Sequence, residues 1–122
     1  MKIQESAENY LETILMLEQS QDVVRSIDIA NKMSFSKPSV SIAMKNLRES
    51  GYINMDDDGH ITLLPPGREI ANKIYARHIM MTNWLIRLGV PKDIAAEDAC
   101  KIEHVLSQES FDAIKKHIEG QR

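Results

Sequence analysis

The chain has 122 residues, 43% hydrophobic and 27% charged, with a net charge of −3 and a single cysteine. This is a globular composition sized for one compact domain or two small ones, and it excludes a disordered chain. No apolar run approaches the roughly 18 residues that cross a bilayer, and no basic-then-apolar leader opens the chain, so neither membrane nor secretion is expected.

A lone cysteine excludes an intramolecular disulfide, which fits a cytoplasmic setting. The acidic balance counts little against a nucleic-acid partner, because a local basic face outweighs the whole-chain sum.

In chain order, Leu11, Ile14, Leu15 and Leu17, with Tyr10 beside them, predict a first helix over about 4–19 with one buried face. A second helix is expected over 26–33, with Ser26 as its N-cap and Ile27, Ala30 and Met33 as its apolar stripe. Pro38 suits the first turn of a third helix, in which Val40, Ala43, Met44 and Leu47 recur at core spacing. Its other face then carries Ser39, Ser41, Ile42, Lys45 and Arg48, and Gly51 suits its C-terminal cap.

Two short strand-like runs follow, 52–55 and 60–63, joined by the acidic turn Asp56-Asp57-Asp58-Gly59. Pro65-Pro66-Gly67 ends the hairpin and opens a long fourth helix to about Leu88. Gly89-Val90-Pro91 breaks it, a fifth helix covers about 92–106, and a short sixth includes Phe111, Ile114 and Ile118. The fold class is therefore mainly α with a small β-hairpin. Helix, helix, helix, hairpin is a winged helix-turn-helix, expected over 1–64, with a helical domain over 65–122.

A helix-turn-helix presents its second helix to the major groove. Ser36, Lys37, Ser39 and Ser41 stand near that helix's N-terminus, where small hydroxyls permit close approach and Pro38 stiffens the turn. Ile42 is an apolar residue on a polar face, suited either to thymine methyls or to packing on the wing. Arg25, Lys32, Lys45 and Arg48 are expected at phosphates, which position a protein without choosing sequence. The alternative is a winged helix used for protein contacts, since fold does not fix function. Three aspartates at the wing tip would repel phosphate, so the tip is expected to stay clear of the backbone.

The strongest chemistry lies in Cys100-Lys101-Ile102-Glu103-His104. Positions i, i+3 and i+4 share a helical face, so Cys100, Glu103 and His104 can converge. Thiolate, carboxylate and imidazole together suit borderline divalent metals rather than calcium or magnesium. His78 in the fourth helix and Asn9 and Glu12 in the first add donors if those helices pack together. The bland alternative is a buried thiol, solvated surface groups and a partly exposed histidine beside Arg77.

The run Ser6-Ala7-Glu8-Asn9-Tyr10-Leu11-Glu12-Thr13-Ile14, the segment Ser36 to Ser41, the pair Arg77-His78 and the stretch Asp98 to Ser107 resemble the diphtheria-toxin-repressor family of iron- and manganese-dependent regulators. The similarity runs through nearly the whole chain. It implies a dimeric repressor that binds double-stranded operator DNA when loaded with Fe(II) or Mn(II). By that resemblance the central site falls on Asn9, Cys100, Glu103 and His104, with His78 and Glu12 completing a second or shared site. Asn9 departs from both branches, which carry methionine (iron) or aspartate (manganese) there. Cys100 agrees with the iron branch. Thr82 and Ala96 replace the carboxylate and histidine of the iron branch's ancillary site, so that site is not expected whole. The chain stops near residue 122, so the SH3-like third domain of the larger iron regulators is not expected.

Apolar residues of the last three helices, among them Met80, Met81, Trp84, Leu85, Leu88 and Val105, exceed what a small helical hairpin buries, so a homodimer interface is expected there. Cys100 favours Fe(II), with Co(II), Ni(II) or Zn(II) working in vitro and Mn(II) next. The rivals are a Cys100 redox sensor, which lacks a resolving cysteine, a metal-free adaptor, and a metallohydrolase, for which no base or cleft can be named. No enzymatic activity and no organic small-molecule substrate are expected.

Overall fold

The computed structural model describes residues 5–120 and contains α1 (Glu5–Ser20), α2 (Ser26–Met33), α3 (Lys37–Glu49), β1 (Ile53–Met55), β2 (Ile61–Leu63), α4 (Pro65–Arg87), α5 (Lys92–Val105) and α6 (Gln108–Glu119). The mainly helical class with one hairpin is as the sequence reads. The expected start of the first helix at Gln4 lies outside the described residues. The chain divides into two compact units, 1–72 and 73–122, with the boundary inside α4.

In the first unit, α1 packs on α2 and β2, and α3 packs on α2 and β1. Leu11 and Ile14 of α1, Ile29 of α2, Val40 and Met44 of α3, and Ile53 of β1 are fully buried at its centre. The periodicities named for α1 and α3 thus face one core, whereas the stripe named for α2 is corrected: Ile29 and Ala30 are buried and Ile27 is 40% exposed. The cap of α2 differs from expectation. Arg25 holds the N-cap position and Ser26 is already helical, because the Asp28 carboxylate accepts the Arg25 backbone N–H at 2.9 Å. A carboxylate in the first turn also suits the positive end of the helix dipole.

Pro38 stands in the first turn of α3 as read, and Ser36 caps that helix, its hydroxyl accepting from the Ser39 N–H. At the other end, Gly51 takes a φ of +83°. The Gly51 N–H then reaches the Arg48 carbonyl, and the Tyr52 N–H reaches that of Leu47 at 3.0 Å. This paired closure satisfies carbonyls the helix leaves orphaned and turns the chain into β1.

The hairpin pairs Ile53 with Leu63, Asn54 with Thr62 and Met55 with Ile61. The Ile61 N–H also donates to the Val24 carbonyl at 2.8 Å, so the segment before α2 is stitched to the wing. Arg68 of α4 forms paired 3.1 Å bonds to the Glu18 carboxylate of α1.

The second unit holds the rest of α4, α5 and α6. Ile74, Arg77 and Met81 form the buried stripe of α4, Ala95, Ala99 and Glu103 that of α5, and Phe111 and Ile118 that of α6. Not all of the expected interface stripe is open. Met81 and Phe111 are core residues, whereas Leu88 and Val105 are 64% and 72% exposed.

Gly67 lies where the first turn of α4 crosses Tyr52. A Cβ there would collide with the Tyr52 carbonyl oxygen and stand 3.0 Å from its carbonyl carbon. Alanine normally stabilises a helix by about 1 kcal/mol over glycine, but the overlap is with backbone and cannot be relieved by a rotamer change. Gly67→Ala should therefore lose about 1–3 kcal/mol in urea unfolding. A neutral or stabilising result would show that α4 does not need this close approach.

Candidate metal centre and nucleic-acid interface

Glu103 lies on α5 where the spacing Ala95, Ala99, Glu103 calls for an apolar residue, and its side chain has no exposed surface. A buried carboxylate is costly unless positive charge or hydrogen-bond donors face it. Two imidazoles do. His78 Nδ1, from α4, is 3.0 Å from Oε2, and His104 Nε2, one position along α5, is 3.4 Å from Oε1. With its proton on Nδ1, His78 donates to Glu103 and keeps Nε2 as its lone-pair nitrogen. Tyr75, three residues earlier on α4, stacks on the His78 ring at 6.4 Å and 18°.

Cys100 is half-buried one turn before His104. The ligand atoms of Cys100, Glu103 and His104 lie within 4.8 Å of one another. The convergence expected from i, i+3, i+4 spacing is therefore present, and His78 joins it through the far oxygen of Glu103. That oxygen pair tests the fit to a cation. Oε1 is buried, has no hydrogen-bond partner among the described residues, and stands 3.4 Å from His104 Nε2. A thiol, a carboxylate and imidazoles gathered round such an atom are a donor set for a divalent transition metal. Asn9 and Glu12 lie one turn apart on α1 in the first unit, Asn9 half-buried and Glu12 buried. Thr82 is half-buried with a hydroxyl that has no hydrogen-bond partner.

In the first unit, Ser36, Lys37, Pro38, Ser39, Ser41, Ile42 and Lys45 are all exposed. The largest apolar exposure among them is Ile42, at 63%. Ile42 therefore points largely into solvent and is not packed away against the wing. Ser26, Ile27, Lys37 and Ser41 line an open cleft of about 270 Å³ between α2 and α3.

Arg25 is exposed but not a free arm. Its guanidinium meets His60 Nε2 at 2.9 Å, and His60 Nδ1 lies 3.3 Å from Asp56 Oδ2. The other Asp56 oxygen accepts the Asp58 and His60 N–H groups at 2.9 Å each. The backbone hydrogen bond from His60 holds the Asp56 carboxyl below its ordinary value, helped by the bond from Asp58 and by the charges of His60 and Arg25. One of the three wing-tip carboxylates is thus spent on shaping the turn. Sequence reasoning treated all three alike, although an aspartate two and four residues before backbone donors is a known turn former.

The described residues include no helix long and apolar enough to cross a membrane. Residues 2–61 match the model of the iron dependent repressor N-terminal DNA binding domain, and residues 65–120 that of the iron dependent repressor metal binding and dimerisation domain. The chain is 35% identical over 109 residues to the transcriptional regulator MntR of Salmonella typhimurium, covering 89% of this chain and 69% of that protein. It is 32% identical over 117 residues to an HTH-type transcriptional regulator of Methanocaldococcus jannaschii, covering 94% of each.

Among solved structures, a manganese-dependent transcriptional repressor in complex with manganese matches with a TM-score of 0.85 and 27% identity. The match covers 93% of this chain and 52% of that one. The manganese regulator SloR matches with a TM-score of 0.81 and 27% identity over 98% of this chain and 55% of that one. The chain thus spans about half the length of those two structures. These relatives are regulators and not enzymes. With both halves matched in order, the chain belongs to the iron dependent repressor family of metal-dependent, DNA-binding transcriptional regulators.

Proposed function

We propose that this protein is a cytoplasmic repressor that binds double-stranded operator DNA as a homodimer when loaded with a divalent transition metal, Fe(II) in preference to Mn(II). The observation that carries the metal reading is the Glu103 carboxylate, fully buried, with an imidazole at each oxygen and Cys100 alongside. Cys100, Glu103, His104 and His78 are the proposed ligands of the second unit. Asn9 and Glu12 of α1 remain in the set on the family resemblance. A bound cation would supply the positive charge that a thiolate and buried carboxylates need to stay ionised.

Homodimerisation is supported by the matched dimerisation domain and by the apolar residues that the second unit leaves exposed. Leu88 and Val105 show most, with Ile79, Ile86 and Ile94 between 38% and 47%. Such a face is costly to leave in water and suits a two-fold contact. For DNA, the exposed hydroxyls of Ser36, Ser39 and Ser41 at the start of α3 are the proposed reading edge, with Ile42 against thymine methyls. Arg25, Lys37 and Lys45 are the proposed phosphate contacts.

His104→Ala tests the ligand set. The variant should fold yet lose metal-dependent operator binding, while wild-type metal affinity in the variant would remove His104 from the site.

The metal preference rests on Cys100. A soft thiolate favours iron, cobalt, nickel or zinc over manganese, and Asn9 offers a neutral oxygen where a carboxylate would suit a harder ion. The similarity to manganese-dependent repressors is the specific observation on the other side. Operator binding across buffered Fe(II) and Mn(II) series decides between them. Wild type should respond to Fe(II) at lower free metal, and Cys100→Glu should move the response toward Mn(II). Equal responses in wild type, or no shift in the variant, would assign selectivity elsewhere.

Lys37→Ala should weaken binding to all DNA sequences about equally and lower the salt slope by roughly one. An unchanged slope would take Lys37 off the phosphates.

A further inference from the structure

Arg77 enters the sequence only as the neighbour of His78, yet among the described residues no other lysine or arginine is buried. Its Nη1 donates to the main-chain carbonyls of Glu103 and Leu106, each at 3.1 Å. Its Nη2 donates to the Gln108 side-chain oxygen at 2.9 Å, and its guanidinium carbon sits 4.8 Å from the centre of the Phe111 ring. Gln108 is itself oriented by donating to Asp112 at 2.8 Å. Every one of these partners lies in the last turn of α5, the break after it, or the beginning of α6.

That junction is where helix geometry leaves carbonyls without partners. Leu106 turns extended, with ψ 135°, and ends α5 immediately after the ligand run. A planar guanidinium can hold two carbonyls and an amide oxygen at fixed angles, which an ammonium cannot. Consecutive residues of α4 therefore grip one residue of α5 at two points. His78 holds the Glu103 carboxylate, and Arg77 holds the Glu103 carbonyl. Neighbouring helical residues point about 100° apart, so the two grips come from different directions and fix both backbone and side chain.

We propose that Arg77 is a positioning residue for the metal centre, presetting the last turn of α5 so that Glu103 and His104 hold ligand geometry before any ion arrives. This rests on the proposed ligand set. Groups that orient metal ligands typically contribute 10–100-fold in affinity, and Arg77 is placed to act on two ligands through one turn of backbone.

The test is a Co(II) titration of the full chain, read by affinity and by the visible d–d and thiolate charge-transfer bands, far below the melting temperature of each variant. Arg77→Met should keep its helical circular dichroism, bind Co(II) 10–100-fold more weakly, and show altered bands. Arg77→Lys should recover part of that loss, since an ammonium can reach one carbonyl. Gln108→Ala removes one of the three bonds at an exposed position and should cost a smaller factor, which covers the case in which Arg77→Met fails to fold. Wild-type affinity and bands in Arg77→Lys and Gln108→Ala, or in a folded Arg77→Met whose only change is a lower melting temperature, would make Arg77 a structural prop and overturn the proposal. His104→Ala is the control. If it too binds Co(II) as wild type does, the ligand set fails and this inference falls with it. If His104→Ala loses binding while the Arg77 and Gln108 variants keep it, only the role of Arg77 is wrong.

Discussion

A carboxylate with no exposed surface, set in the apolar stripe of a helix, dictates what surrounds it. An isolated ionised carboxylate in such a place would neutralise rather than stay charged, or the unit would unfold. Around Glu103 the chain supplies partners on every backbone segment within reach: His104 from the same helix, His78 from α4, and the Arg77 guanidinium on its carbonyl. The two preceding stripe positions, Ala95 and Ala99, are fully buried and carry no polar side-chain group. The second unit is thus organised around a polar cluster instead of a purely apolar core. Such a cluster stabilises only when all its members are satisfied, and Glu103 Oε1 still lacks a hydrogen bond.

The first unit handles charge in the opposite way, by spending it locally. The chain is acidic overall, and a wing carrying three aspartates looks hostile to a phosphate backbone. Asp56, however, is turned inward onto two backbone N–H groups and His60, and His60 in turn meets Arg25. The depressed Asp56 carboxyl stays ionised at all ordinary pH, and its charge is opposed by the arginine at the start of α2. The face of α3 carries hydroxyls and Lys37 with no acidic residue in its first turn. Local arrangement, more than net charge, decides whether such a surface can approach DNA.

Most of the fold was legible because it obeys simple periodicity. The i, i+3, i+4 recurrence in α1 and α3, Pro38 in the first turn of α3, the Gly51 stop and the change to two-residue alternation in the wing each have one physical reading. What escaped has a common cause: it depends on distant or competing partners. Ser26 looked like a cap by type, but the Asp28 carboxylate reaches back to the Arg25 N–H and moves the helix start one residue earlier. The Val24 to Ile61 bond joins segments with no shared pattern. At the metal centre, the shared face of Cys100, Glu103 and His104 was readable, whereas the burial of Glu103 went unread. The signal was there, in the four-residue spacing of Ala95, Ala99 and Glu103. Arg77 had no such signal, because its partners are mostly main-chain carbonyls, which sequence does not display.

Membership of a metal-dependent family fixes the kind of chemistry and leaves the choice of ion to individual donor atoms. The matched domain models carry the name of iron, while the solved structures named above carry that of manganese. A shared fold therefore cannot encode the distinction. Glu103, His104 and His78 offer oxygen and imidazole nitrogen, which suit either ion, so they set the presence of a site more than its preference. On the proposed ligand set, the discriminating weight falls on Cys100, a sulfur donor, and on Asn9, a neutral amide. Both lower the anionic oxygen content on which a hard ion depends. Softness alone does not order the first-row ions, since intrinsic affinity rises from manganese through iron to copper for almost any ligand set. A protein in this position gains selectivity by holding its ligands at fixed spacing and letting the cell's metal supply do the rest. Rigid support behind the ligands, from a buried arginine on the backbone of one of them, belongs to the same solution.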